Sequence, residues 1–267
     1  MGALEGRTAL VTGASRGIGN AIARRLAMEQ AVVVVSARTA RPGESRFSGS
    51  LEETVEQVRA AGGEAVAIPA DLSEPADRLA LIEQATEQVG PIDIVVNNAA
   101  VTWFEPVERF SGRHFDAMFE VQVKAPFHIS QLVLTAMRAR QRGWILNISS
   151  GAARHPQGPP YAHRGTGGTV YGMCKAALER FTTGLAAEVY EDRVAVNVLS
   201  PSGPVATPGI VFHGLVPPGQ EDRYQPVEEM AEAALALCSG DPATLTGRVA
   251  YSRPLLAELD REAKALA

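Results

Sequence analysis

Two kinds of apolar pattern alternate along the chain. Short runs rich in β-branched residues at Thr8–Thr12, Val32–Ser36, Ala65–Ile68, Ile92–Val96, Trp144–Ile148 and Val194–Leu199 predict six strands, with a weaker seventh at Arg248–Tyr251. Between them lie stretches with helical spacing. Asn20–Glu29 carries Ile22, Ala23 and Leu26, and Leu51–Ala61 is closed by Gly62 and Gly63. A third helix starts at Leu72-Ser73-Glu74-Pro75, with Ser73 as expected N-cap and Pro75 in the first turn, and runs to Val89 before Gly90-Pro91. Ser111–Arg140 predicts a long helix bent at Pro126, followed by helices at Val170–Val189, Val227–Leu237 and Pro254–Ala265. The polar stretch Thr39–Ser50, with Gly and Pro, reads as a loop.

Strands separated by helices, and apolar almost throughout, predict a parallel sheet covered on both faces. The expected fold class is therefore α/β, a Rossmann-like doubly wound parallel sheet of seven strands with helices on both faces. No linker or composition break divides the chain, so residues 1–267 read as one domain; no internal repeat is evident.

Composition narrows the function classes. With 46% hydrophobic and 21% charged residues, the chain is not of the disordered class. Its net charge of −5 lacks the basic footprint of a nucleic-acid binder. Two cysteines, Cys174 and Cys238, cannot build a disulfide framework or a Cys-rich zinc site, so no metal is expected and a reducing cytoplasm is the simplest location. The first eight residues carry Glu5 and Arg7 without an apolar signal core, and Gly6 breaks the myristoylation pattern. The longest stretch without Asp, Glu, Lys or Arg, Val194–Gln220, is interrupted by Pro201, Pro204, Pro208, Pro217 and Pro218, which excludes a membrane helix.

The first predicted strand runs directly into Gly13-Ala14-Ser15-Arg16-Gly17-Ile18-Gly19, and a helix follows. Glycines allow a tight turn whose backbone N–H groups approach a pyrophosphate, and the helix N-terminus favours that anion. A glycine cluster alone would signal only a tight turn; strand before and helix after give it the context of a dinucleotide site. An NAD site of this kind places an acid at the end of the second strand, for the ribose 2′-hydroxyl. Here Ser36-Ala37-Arg38 has none. Arg38 offers a permanently charged fork for a 2′-phosphate, and Arg16 a second charge, so NADP(H) is the expected cofactor.

Thr12-Gly13-Ala14-Ser15-Arg16-Gly17-Ile18-Gly19, Asn97-Asn98-Ala99-Ala100, Ile145-Leu146-Asn147-Ile148-Ser149-Ser150 and Tyr171-Gly172-Met173-Cys174-Lys175 together resemble the short-chain dehydrogenase/reductase family, over roughly residues 5–207. By that resemblance, Asp71 and Leu72 contact adenine, Asn98 and Ala99 border the cofactor, and Pro201, Gly203 and Thr207 flank the nicotinamide, one residue having been inserted near Ser202. The resemblance also implies that Lys175 holds the nicotinamide ribose, and that the long helices pair subunits into a homodimer or homotetramer.

The chemistry follows from the side chains. Tyr171 and Lys175, four apart on a predicted helix, share a face. A free phenol has a pKa of ~10 and is a poor acid or base at neutral pH. A neighbouring ammonium is expected to lower it. Tyr171 then exchanges a proton with a carbonyl or alcohol oxygen while hydride moves to or from nicotinamide. Ser150, at a strand's C-terminal end, is expected to hydrogen-bond the same oxygen, with Ser149 its rival. Tyr161 is the rival tyrosine, but position 165 is glycine, so it has no lysine partner.

Departures from the family pattern are local. Gln122 replaces the asparagine usual on the long central helix and is expected to support the proton relay toward the lysine. The interval from Ser150 to Tyr171 is extended around Arg154–Thr169, with His155 and His163 expected to be exposed, and Tyr251-Ser252-Arg253-Pro254 stands where Asp-Gly-Gly is usual. Trp103, Phe104 and Ile210-Val211-Phe212-His213 either line an apolar substrate pocket or pack the loops that carry them. The reading is an NADP(H)-dependent oxidoreductase acting on a small, lipophilic carbonyl or secondary alcohol. Two alternatives are an NADP(H)-binding or sensing protein without turnover and an NAD-dependent alcohol dehydrogenase.

Overall fold

A computed structural model describes residues 2–161, 167–214, 216–217 and 219–266. Its strands are β1 (Thr8–Thr12), β2 (Val32–Ser36), β3 (Glu64–Ala67), β4 (Ile94–Asn97), β5 (Gly143–Ile148), β6 (Val194–Ser200) and β7 (Val249–Tyr251). They form one sheet in the order β3-β2-β1-β4-β5-β6-β7, every pairing parallel. The chain builds outward from β1 to β3, then returns across β1 to start the second half at β4. That reversal opens a crevice beyond the C-terminal ends of β1 and β4, where sheets of this kind bind ligands.

The central strands are buried along their length because both faces are covered. On one face, α1 (Gly17–Met28), α2 (Leu51–Ala60) and α8 (Val227–Ser239) pack Ile22, Leu26, Val55 and Leu235 against Val33, Val35 and Val96. On the other, α3 (Pro75–Val89), α5 (Ala125–Arg140) and α6 (Thr169–Glu188) pack Leu81, Ile129, Met137 and Leu185 against Leu10, Val34 and Val95. The alternate side chains of a strand thus enter different cores. Among the described residues, no helix is long and apolar enough to cross a membrane.

Among the boundaries that differ from expectation, three have a visible tertiary cause. Glu74, not Ser73, is the N-cap of α3, because the Ser73 hydroxyl donates to Asp71 Oδ1 at 2.7 Å. The expected long helix is two, α4 (Gly112–Phe119) and α5, joined by a π-helical turn at Glu120–Lys124. Pro126, which has no N–H, sits just after that turn, and buried Arg78 pairs with Glu120 inside it. The last helix, α9, covers only Ser252–Glu258. Beyond it, Asp260 turns the backbone to a positive φ of 49°, and Arg261 bonds Glu232, which also pairs with buried Arg25 at 2.7 Å.

Candidate active site

The crevice floor is the glycine turn between β1 and α1. Gly13 (φ 65°) and Gly17 (φ 56°) lie in the left-handed region, which favours glycine. A Cβ at Gly13 would lie 2.8 Å from Ala99 Cα, and one at Gly17 would lie 3.0 Å from Thr207 Cγ2. One at Gly19 would collide with Asn98 and with the Gly13 carbonyl. Asn98 Nδ2 donates to the carbonyls of Thr12 (2.9 Å) and Gly13 (3.1 Å), and the Ala99 N–H donates to Thr12 Oγ1. Asn98 and Ala99 therefore hold the turn's shape. Helix α1 starts at Gly17 rather than Asn20, and no side chain caps its first N–H groups. Ser15 is buried and Ile18 packs on the core. This cradle fits a dinucleotide pyrophosphate by shape and polarity.

Arginines border the cradle differently. Arg38 is 65% exposed, and its nearest carboxylate, Asp71, is 3.9 Å away. Arg16 is committed to loop 39–50, donating to Thr39 Oγ1 (2.9 Å), the Gly49 carbonyl (3.0 Å) and Ser45 Oγ (3.3 Å). Burial pulls its pKa below the ordinary value, Glu53 opposes this, and the like charge of Arg38 adds to it. Asp71 is occupied locally, accepting from the Ser73 N–H and hydroxyl. Leu72 is in the core, its carbonyl accepting from Arg78 Nε at 2.7 Å.

Beside the cradle, the structure brings Ser150, Tyr171 and Lys175 together. Ser150 follows β5 in extended backbone, and its Oγ accepts from the Ala152 N–H at 3.2 Å. Its side chain also stands beside the Tyr171 phenol, close enough to lower the phenol's pKa. Ser149 is turned away, donating to Glu179 Oε1 on α6 at 2.8 Å. Tyr161 is exposed, as is His155; position 165 and His163 lie outside the described residues. Lys175 is 3% exposed, donates from Nζ to the Ile148 carbonyl at 2.9 Å, and lies 5.7 Å from the centre of the Tyr171 ring.

Electrostatics correct one expectation. Tyr171 titrates above the ordinary phenol, not below it: burial raises its pKa, the Ser150 hydrogen bond lowers it less, and Cys174 adds a further rise. Desolvation sets the direction of the phenol's shift, and the same burial pulls the Lys175 pKa down to about 8. The phenol is thus held in its proton-donating form at neutral pH.

Gln122 lies in the π-helical turn, 1% exposed. Its Nε2 donates to the Val101 carbonyl at 2.8 Å, while buried Oε1 has no protein partner. Such an acceptor is costly unless a water or ligand satisfies it. The aromatic residues divide between the two expected roles. Trp103 stacks on His114 at 4.2 Å and joins the small core beneath the site. Phe104 meets Tyr171 edge-on at 5.8 Å and His213 at 5.1 Å, forming an apolar wall beside the phenol. Burial and Arg46 lower the His213 pKa against a hydrogen bond to the Thr102 backbone, which keeps the imidazole neutral.

After β6, loop 201–207 leaves the sheet next to Ser150, since the Ser149 N–H donates to the Leu199 carbonyl at 2.8 Å. Pro201 is half-buried, and the Gly203 N–H donates to Gln225. Thr207 caps the short helix α7 (Pro208–Phe212) by accepting from the Ile210 N–H. Gln225 and Ser252 are both buried and both bonded to this loop; Gln225 has no signal in local sequence pattern, and Ser252 has only the departure at 251–254. Among the described residues, no cluster of His, Cys, Asp or Glu could hold a metal ion.

Comparison with known proteins places the chain among dehydrogenases. The chain is 36% identical over 201 residues to the ketoacyl reductase HetN of Nostoc sp., a match covering 75% of this chain and 64% of that protein. It is 34% identical over 258 residues to an uncharacterized oxidoreductase of Methylorubrum extorquens, covering 93% and 97%. Among solved structures, a 3-oxoacyl (acyl-carrier-protein) reductase from Agrobacterium tumefaciens with NADP bound superposes with a TM-score of 0.79 at 31% identity, covering 93% of each chain. The short chain dehydrogenase family model matches residues 7–210, and the chain belongs to that family of oxidoreductases.

Proposed function

We propose that this chain is an NADP(H)-dependent oxidoreductase that interconverts a carbonyl and a secondary alcohol on a small, lipophilic substrate. The observation that carries the reading is the meeting of Ser150, Tyr171 and buried Lys175 at the C-terminal edge of the sheet, beside a glycine cradle. The NADP bound to the Agrobacterium reductase supports the cofactor. Residues Gly13–Gly19 would hold its pyrophosphate, Arg38 and the charge of Arg16 its 2′-phosphate, Asp71 and Leu72 its adenine, and loop 201–207 the nicotinamide side. When bound, the nicotinamide supplies or accepts the hydride.

The chain's own groups handle the proton. Ser150 donates to or accepts from the reacting oxygen and orients it. Tyr171, protonated at neutral pH, gives its proton to a carbonyl oxygen in the reducing direction. Lys175 stabilises the negative charge left on the phenol oxygen, and that service is present only while the amine keeps its proton. Gln122 Oε1 supports the relay by accepting from a water that replenishes the proton. The wall of Phe104 and His213 favours an apolar substrate body.

A panel of ketones and secondary alcohols, followed by nicotinamide absorbance, tests the activity. Turnover supports the reading; tight NADPH binding with no turnover on any substrate would replace it with a binding or sensing role. Cofactor choice has its own test. Arg38→Asp is expected to raise the KM for NADPH about tenfold or more while leaving NADH use intact, the loss typical of a hydrogen bond to a charged group. A wild-type preference for NADH would remove Arg38 from this role. Gln122→Ala is expected to cut kcat about tenfold with unchanged NADPH affinity, as suits a lost water relay rather than a lost ligand contact. An unchanged kcat would exclude it.

A further inference from the structure

The loop that carries Pro201, Gly203 and Thr207 is not self-supporting; it is held from behind by two buried side chains far away in sequence. Gln225, 2% exposed, accepts at Oε1 from the N–H groups of Ser202 (2.8 Å) and Gly203 (3.0 Å). Its Nε2 donates to Ser252 Oγ at 2.9 Å, and its backbone N–H donates to the Pro204 carbonyl at 2.8 Å. Val205 and Gln225 make an isolated parallel bridge. Ser252, fully buried at the start of α9, lies 3.2 Å from Ser202 Oγ and accepts from the Ser202 N–H at 3.3 Å. The Arg253 N–H donates to Ser202 Oγ at 3.0 Å.

We infer that Gln225 and Ser252 form a latch that positions loop 201–207 against the nicotinamide half of the cofactor. The inference rests on the oxidoreductase reading only for the identity of that half. The latch reaches the crevice through continuous backbone. Ser202 and Gly203 are fixed on its side, Val205 is buried, and Thr207 lies against Gly17 of the glycine turn. Ser202 spends both its N–H and its hydroxyl on the latch and is its tether. The same contacts explain the altered segment Tyr251-Ser252-Arg253-Pro254, whose serine and following N–H complete the clamp.

A primary amide suits this place because one group must accept twice and donate once. Methionine matches its length and removes both functions. Neither residue touches the adenosine half of the crevice, which is built by Gly13–Gly19, Arg38 and Asp71. A positioning role at the nicotinamide loop and a general structural role therefore make different predictions for cofactor fragments.

The test measures binding of NADPH and of 2′,5′-ADP, the cofactor's adenosine-phosphate fragment, to wild type, Gln225→Met and Ser252→Ala, alongside thermal unfolding. The latch predicts at least tenfold weaker NADPH binding in both variants, with 2′,5′-ADP affinity unchanged, and partial recovery in Gln225→Glu, which can still accept from both N–H groups. Equal loss for both ligands, or no loss for either, would overturn it. Should Gln225→Met fail to fold, Ser252→Ala, a deletion of one oxygen, is read by the same criteria. Because the readout is binding, a wild-type protein that binds NADPH without turnover would refute the proposed activity and leave the latch standing.

Discussion

Replacing Tyr171 with phenylalanine is expected to lower kcat for carbonyl reduction by about 10²–10⁴-fold, the range for removing a general acid. One oxygen is deleted. The ring keeps its edge-on contact with Phe104 and its place over the small core of Met118, Val170 and Cys174. NADPH affinity and thermal stability should stay close to wild type, since the ring keeps its packing and the change removes a single oxygen beside Ser150. Steady-state kinetics together with NADPH binding separate the outcomes. A variant that binds cofactor normally but turns over slowly places the defect in proton transfer. Unchanged kcat would show that the phenol is a bystander.

Lys175→Met carries the second large effect. The ammonium is fully buried in the site, fastened to the Ile148 carbonyl, and its pKa is pulled down to about 8 by desolvation. Below that pH it is charged, and in the proposed reaction it offsets the negative charge that forms on Tyr171 as the phenol gives up its proton. As pH rises through about 8 the charge is lost, so wild-type reduction should decline on the alkaline side. Removing the amine is expected to cost roughly 10²–10³-fold in kcat, comparable to deleting one preorganised stabiliser of a developing anion. The alkaline break should vanish with it. A pH–rate profile of the variant that keeps the break would assign the titration to another group. The depressed pKa has a second consequence: the amine's proton is easier to lend than that of an exposed lysine, which suits a relay fed through Gln122.

The sheet is largely legible in the sequence because its determinants are local. Runs such as Val32–Val35 and Ile145–Leu146 can be satisfied only where both faces are covered, and the glycine turn carries its own conformational requirement at Gly13 and Gly17. Spacing likewise places Lys175 one turn beyond Tyr171. What sequence pattern does not reveal is tertiary. The π-helical turn is met at Glu120 by Arg78, more than forty residues away. The N-cap of α3 moves because Asp71 captures Ser73. The terminal helix stops early where Arg261 turns toward Glu232. The Tyr171 shift runs opposite to expectation for the same reason: a lysine four residues on is visible in sequence, but the burial that raises the phenol's pKa comes from segments distant along the chain, such as Phe104. Gln225 lies in a segment with no periodicity or motif to mark it, Ser252 is marked only as part of the altered segment 251–254, and only the packed structure connects them to Ser202.

The chemical claim reduces to a hydride delivered to a carbon whose oxygen sits between Ser150 and Tyr171. Deuteride tracing measures that event directly. With NADPH carrying deuterium at the nicotinamide C4 position and a ketone that the panel identifies, mass spectrometry of the alcohol should find one deuterium on the carbinol carbon with the label on one face of the ring. The label on the opposite face should be retained by the cofactor, and Tyr171→Phe should suppress the transfer. Alcohol formed without deuterium from either labelled cofactor, or full transfer in the Tyr171→Phe variant, would contradict the account.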